Sequence, residues 1–234
     1  MTLEKRLVKV IEKKNLGGEY WLLVLESEKV FEFQAGQYVS LKVSEEGVRR
    51  SYSIASRPGL KTIDLLVDVA PMGIGSKFVL NAKVGDEVEI LVPMGVFFVK
   101  PTNFKKLLIA TGSGITPMKA MAEELVLNEK TAIETKMIWG MRYNKGLFWL
   151  EEFKNLKECC AAFDYEVVIS KSDEDWQGKK GHVSDVIEEW VNNGMKLAEY
   201  EVYICGNAKM IAEMAALLFG KGMPKEQINF EKFY

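Results

Sequence analysis

A chain of 234 residues has room for one large domain or two modest ones, each able to bury a core. Its 48% hydrophobic and 27% charged residues are ordinary for a soluble globular protein. A net charge of -2 argues against a general nucleic-acid binder, because phosphate backbones need a basic surface. The charged start (Glu4-Lys5-Arg6, then Glu12-Lys13-Lys14) leaves no signal-peptide core, and the apolar run Tyr20 to Leu25 is too short to cross a bilayer. A cytoplasmic protein without a membrane span is expected. Cys159, Cys160 and Cys205 are the cysteines, with no zinc or iron–sulfur spacing, so no metal site is expected and a one-electron centre would sit on another protein.

The first 97 or so residues read as short strands between turn signals, over Leu7–Glu12, Tyr20–Glu26, Tyr38–Val43, Arg50–Ala55, Ile63–Val69 and Glu87–Val92. One short helix, Ser76–Asn81, interrupts them. This pattern predicts a small antiparallel β-barrel. From Lys105 strands and helices alternate: strand Leu107–Ala110, helix Met118–Leu127, strand Lys136–Gly140, helix Leu150–Ala161, strand Glu166–Ser170, helix Val183–Val191, strand Glu201–Cys205, helix Met210–Phe219 and a last strand Ile228–Phe233. Alternation of this kind predicts an α/β domain, a parallel sheet flanked by helices. The break at Pro101-Thr102-Asn103 divides the chain into domains over residues 1–99 and 100–234.

Between a strand and a helix stands Thr111-Gly112-Ser113-Gly114-Ile115-Thr116-Pro117. Glycines let backbone approach a phosphate, and the free N–H groups at a helix start favour an anion. No Gly-Lys-Ser/Thr follows, so it is not a Walker loop. Pro117 replaces the third glycine of the ordinary dinucleotide fingerprint, and Met141-Arg142 stands where a ribose-binding carboxylate belongs. Cys205-Gly206-Asn207 ends a later strand of the same sheet, where open α/β sheets bind ligands. In the first half, Arg50 and Tyr52 project to one face of their strand, and Pro71-Met72-Gly73-Ile74-Gly75-Ser76 leads into the short helix with Ser76 as its expected N-cap. Both features suit a second, bulkier anion.

The order Arg50-Ser51-Tyr52-Ser53, Gly73 to Ser76, Gly85-Asp86, Pro93-Met94-Gly95-Val96-Phe97, Gly112 to Pro117, Cys205-Gly206-Asn207 and Glu231-Lys232-Phe233-Tyr234 closely resembles the ferredoxin–NADP⁺ reductase family over nearly the whole chain. The resemblance implies an FAD-binding barrel followed by an NAD(P)-binding α/β domain. It implies that Arg50 neutralises the FAD pyrophosphate with help from Gly73, Gly75 and Ser76. Ser51 belongs to the same strand motif, Tyr52 would pack on the isoalloxazine, and Ser53 would lie near N5. Val67, Asp68 and Val69 would line the flavin. Thr111, Gly112, Gly114 and Thr116 would hold the dinucleotide pyrophosphate, Cys205 with Gly206 and Asn207 would sit beside the nicotinamide, and Glu231 would lie near Ser53. Ser53, Cys205 and Glu231 are thus the candidate catalytic residues. Either Phe233 or Tyr234 would be the aromatic that stacks on the flavin, with Phe233 the better match.

The coenzyme is NADPH or NADH. Ser170-Lys171 and Lys179-Lys180 lean the reading to NADPH, while Asp173, Glu174 and Asp175 crowd the same loop. His182 and the helical Met210 and Met214 read as structural. The expected activity is hydride exchange between NAD(P)H and FAD, with single electrons passing to or from a soluble carrier such as ferredoxin or flavodoxin. The alternatives are the flavin-bearing subunit of an oxygenase or larger redox complex, a free-flavin reductase, and a non-catalytic nucleotide-binding module.

Overall fold

Alternating apolar residues build the first sheet. In strand β1 (Glu4–Gly17), Val8 and Val10 are buried while Leu7 and Ile11 face outward. The other strands are β2 (Tyr20–Glu26), β3 (Tyr38–Lys42), β4 (Arg49–Ser53), β5 (Thr62–Asp68) and β6 (Glu87–Met94), with helix α1 (Ile74–Asn81) between the last two. The computed structural model describes residues 2–127 and 133–233. The six strands are antiparallel in the order β4-β3-β6-β1-β2-β5. The sheet curls closed just beyond β4, where Ile54 bridges Leu65 and the Ala55 N–H donates to Asp64 O at 2.8 Å. Val10, Leu23, Leu25, Val39, Leu41, Ile63, Leu65 and Ile90 fill the interior.

Strand β1 is longer than the sequence predicts because it serves two partners. Glu4 to Lys9 pairs with β6 and Lys9 to Gly17 with β2, with a register shift between Val10 and Glu12. The charged ends of β1 hide this, since their side chains look outward on a strand whose backbone is fully engaged.

The second sheet is parallel throughout, in the order β10-β9-β8-β7-β11-β12. Its strands are β7 (Lys105–Thr111), β8 (Thr135–Met141), β9 (Phe163–Ile169), β10 (Lys179–Lys180), β11 (Tyr200–Asn207) and β12 (Ile228–Phe233). The helices are α2 (Ile115–Leu127), α3 (Leu150–Cys159), α4 (Val183–Asn192) and α5 (Ala208–Gly220). On one face α4 and α5 pack Val186, Ile187, Ile211 and Met214 against Leu107, Ile109, Ile138, Val202 and Ile204. On the other, α3 sets Phe153 against Trp139 and Tyr165. His182 caps α4, its N–H donating to Asp185 Oδ2 at 2.7 Å.

By contacts the chain divides into Met1–Val99 with Lys119–Glu124, and Lys100–Met118 with Leu125–Tyr234. No helix among the described residues is long and apolar enough to cross a membrane.

Candidate functional site

The residues singled out in the barrel converge on Gly75. A Cβ added there would lie 2.2 Å from the Tyr52 hydroxyl and 3.2 Å from Arg50 Cγ, so glycine is what lets α1 start against β4. Arg50 is exposed, donates from Nη1 to Arg49 O at 2.8 Å, and has no carboxylate partner among the described residues. Tyr52 is half-buried; burial holds its phenol above the ordinary range, and the Arg50 charge offsets part of that shift. The N-cap of α1 is Gly73 rather than Ser76, which lies buried in the first turn. A side-chain cap would occupy the N–H groups there; Gly73 supplies none, and no acidic residue stands in that turn. The preceding Met72 takes φ 48°, a left-handed conformation that costs a non-glycine residue about 1 kcal/mol.

These features form a cationic, N–H-rich cradle with an aromatic wall, which fits the pyrophosphate and ring of FAD. Ser53 is buried at the end of β4, opposite Tyr38, and Ser51 is exposed on the same strand. Val67 and Val69 put their side chains into the core, while Asp68 is half-buried and its Oδ1 accepts from the Ala70 N–H at 2.9 Å. One contributor had no motif to announce it. Lys13, far away on β1, donates to Leu80 O and Ala82 O, both at 2.7 Å, at the C-terminal end of α1.

In the second unit the loop after β7 is tighter than predicted. A 3₁₀ turn over Gly112–Gly114 runs directly into α2, which therefore starts at Ile115 rather than Met118. Gly112 has φ 56°, and Thr116 donates from Oγ1 to Ser113 O at 2.6 Å. A Cβ on Gly114 would lie 2.3 Å from Cys205 O, and one on Gly206 would lie 2.4 Å from Thr111 Oγ1. Thus Thr111, Gly112, Gly114, Thr116, Cys205 and Gly206 meet at the carboxyl ends of β7 and β11. Thr111 Oγ1 is buried without a hydrogen-bond partner among the described residues, a costly state that a bound ligand would relieve. This closely packed glycine cradle fits a dinucleotide.

Cys205 is fully buried, level with Ala110 on one side and Glu231 on the other. Burial, then the Glu231 charge, pushes its thiol well above the ordinary range, so it stays neutral. Asn207 caps α5 through Oδ1, which accepts from the Met210 N–H at 2.9 Å, and it pairs in register with the half-buried Phe233. Tyr234 lies outside the described residues.

Of the expected cations, Lys179 is neutralised in an ion pair with Glu189, because α4 brings that carboxylate beneath β10. The loop after β9 is laced to the end of β8: the Ser170 N–H donates to Met141 O at 3.0 Å and the Lys171 N–H to Arg142 O at 2.8 Å. Arg142 stacks its guanidinium over Tyr143 at 5.4 Å, and neither it nor Lys171 has a carboxylate partner among the described residues.

The Oxidoreductase FAD-binding domain family matches residues 8–99, and the Oxidoreductase NAD-binding domain family matches residues 108–216. The chain belongs to the ferredoxin–NADP⁺ reductase family. It is an NAD(P)H-dependent flavoprotein reductase with the family's two-part fold. Ferredoxin–NADP reductase B of Sorangium cellulosum is 29% identical over 214 residues, 88% of this chain and 87% of that protein. A component of the Na⁺-translocating NADH-quinone reductase of Idiomarina loihiensis is 32% identical over 208 residues, 83% of this chain but 51% of that protein. The chain therefore spans about half the length of that longer family member. The Amycolatopsis cytochrome P450 reductase GcoB superposes with a TM-score of 0.90 at 25% identity, covering 99% of this chain and 70% of that one.

Proposed function

We propose that this reductase exchanges hydride between NADPH and FAD and passes single electrons to or from a separate carrier such as ferredoxin or flavodoxin. Residues 1–99 are the FAD-binding domain and residues 100–234 the NAD(P)-binding domain in this reading. The observation that carries it is the pair of cradles, one around Gly75 with Arg50 and Tyr52, the other around Gly114 with Thr111 and Cys205. When bound, FAD supplies the conversion between two-electron hydride chemistry and one-electron transfer.

The protein's own part is positioning. Arg50 and the N–H groups after Gly73 neutralise and hold a pyrophosphate. Tyr52 offers its ring face to the flavin, and Ser53 its hydroxyl. Gly112 to Thr116 take the coenzyme's pyrophosphate, and Thr111 donates its hydroxyl to the ligand. Cys205, kept neutral, supplies a polarisable wall beside the nicotinamide, while Glu231 is the carboxylate that would hold or move a proton. Phe233 is the described aromatic that would give way to nicotinamide. The preference for NADPH rests on Arg142 and Lys171, two cations free to meet a 2′-phosphate at the carboxyl ends of the strands. The carrier is separate from these 234 residues in this reading, since their three cysteines, an adjacent pair and a buried third, cannot hold an iron–sulfur cluster.

The test follows the visible flavin band of the FAD-loaded protein under anaerobic conditions as NADPH, or NADH in a fresh sample, is added. Bleaching is expected with both, faster with NADPH. A protein that takes up no FAD sinks the reading, and faster bleaching with NADH overturns the coenzyme preference. Stimulated turnover on adding ferredoxin or flavodoxin is expected. Turnover only in the presence of a co-purifying subunit would replace the soluble carrier with a partner chain.

A further inference from the structure

Behind the glycine loop lies a side chain that no motif announces. Trp139 on β8 is fully buried and donates its indole N–H to Gly112 O at 3.0 Å. The same oxygen accepts from the Ile115 N–H, so both of its lone pairs are engaged. Phe148 meets the indole edge-on at 5.0 Å and Phe153 does so at 6.2 Å, which leaves the ring little freedom to turn.

In a trans peptide the carbonyl and the following N–H point in opposite directions. Fixing Gly112 O against Trp139 therefore aims the Ser113 N–H away from the core, out of the loop. Gly112 at φ 56° has no Cβ to oppose rotation, so with the indole gone only the bifurcated Ile115 N–H, shared with Ser113 O, holds this peptide against a flip that presents its carbonyl instead. A carbonyl facing a pyrophosphate repels it; an N–H binds it.

Resting on the proposed NAD(P)H reading, we infer that Trp139 is a positioning residue for coenzyme binding: its indole N–H locks the Gly112–Ser113 peptide so that the Ser113 N–H faces the pyrophosphate. The anchor acts on ligands that carry a pyrophosphate and on no others.

The test is calorimetric binding of ADP and of adenosine to the FAD-loaded protein, with the KM for the coenzyme alongside. In Trp139→Phe, which keeps an aromatic ring but removes the donor, ADP affinity should fall about tenfold while any adenosine affinity is unchanged. KM should rise in parallel and the saturating rate of flavin reduction should stay within about twofold. Phe148→Leu, which loosens the packing and leaves the indole N–H in place, should retain ADP affinity. Ser113→Pro deletes the aimed N–H without touching the core and should reproduce the loss, which keeps the test decisive if Trp139→Phe does not fold. Unchanged ADP affinity in Trp139→Phe or in Ser113→Pro, or an equal loss in Phe148→Leu, overturns the inference and leaves the proposed function standing. A wild-type protein that binds no ADP overturns both.

Discussion

At Cys205 the chemistry and the packing of one residue are inseparable. Its backbone sits between Ala110 and Glu231 in the sheet, its carbonyl stands where a Gly114 Cβ would go, and its thiol is sealed from water. Burial and the Glu231 carboxylate both oppose ionisation, so the thiol cannot act as a thiolate nucleophile near neutral pH. What remains is a polarisable group of defined size. Replacing it by alanine should leave bound FAD unaltered and slow flavin reduction by NADPH about tenfold or more, because a shift of even 1 Å in the donor carbon is costly. Stopped-flow absorbance measures this directly. The same rate in wild type should show no thiol ionisation step between about pH 6 and 9, since the raised value keeps the group protonated across that window. A rate unchanged by the substitution would remove Cys205 from the site.

Helix α1 shows how an element is held by a residue remote in sequence. Its N-terminal end at Gly73 is left uncapped by any side chain, as an anion site requires. Its other end has no basic residue of its own. Lys13 supplies the charge from β1, binding the carbonyls of Leu80 and Ala82 with its ammonium 5.3 Å over the Trp21 ring. Lys13→Met keeps the stem and loses the cap, so FAD dissociation should become roughly threefold to tenfold easier, with about 1 kcal/mol of stability lost. Flavin fluorescence on release reports the first effect and thermal unfolding the second; identical FAD retention would confine Lys13 to a surface role. Nothing in the local sequence signals this contact, whereas the helix itself was legible. So were β2 and β12, read at Tyr20–Glu26 and Ile228–Phe233, because short-range alternation and strand-forming residues mark them. The glycine loops were legible as backbone requirements for the same local reason. Lys179 being spent on Glu189 and Trp139 reaching Gly112 both depend on partners brought together only by the fold.

At the scale of the whole chain, the segment connecting the two sequence-derived domains is tied down by a buried ion pair. Lys106 is fully buried and reaches Glu201 at 2.8 Å, with further hydrogen bonds to Thr102 Oγ1 at 2.7 Å and to the carbonyls of Thr102 and Lys100. Tyr203 donates to Glu201 at 2.8 Å and accepts from the Lys100 N–H, also at 2.8 Å. Burial pushes the Glu201 carboxyl up, but hydrogen bonds from Lys106, Tyr203 and Thr102 outweigh it, and the net value falls below the usual carboxylate range. A depressed folded-state value contributes stability that is present above the unfolded value of about 4.3 and is lost as the pH falls through the folded one. Lys106→Met reverses the sign. The carboxylate is then buried with only the half-exposed Lys100 ammonium, 3.9 Å away, as a cation; its folded-state value rises above the unfolded one, and stability is lost as the pH climbs between the two. At neutral pH the variant should be less stable by about 3 kcal/mol, and the gap should narrow on acidification toward about pH 4. Adding Glu201→Leu to Lys106→Met should recover a large part of the loss, since no charge is then left buried. Thermal unfolding of the three proteins across that pH range checks the sign. A gap that stays constant with pH would mean that Lys106 acts through packing alone, and that the anchor at Lys100 to Thr102 does not depend on charge.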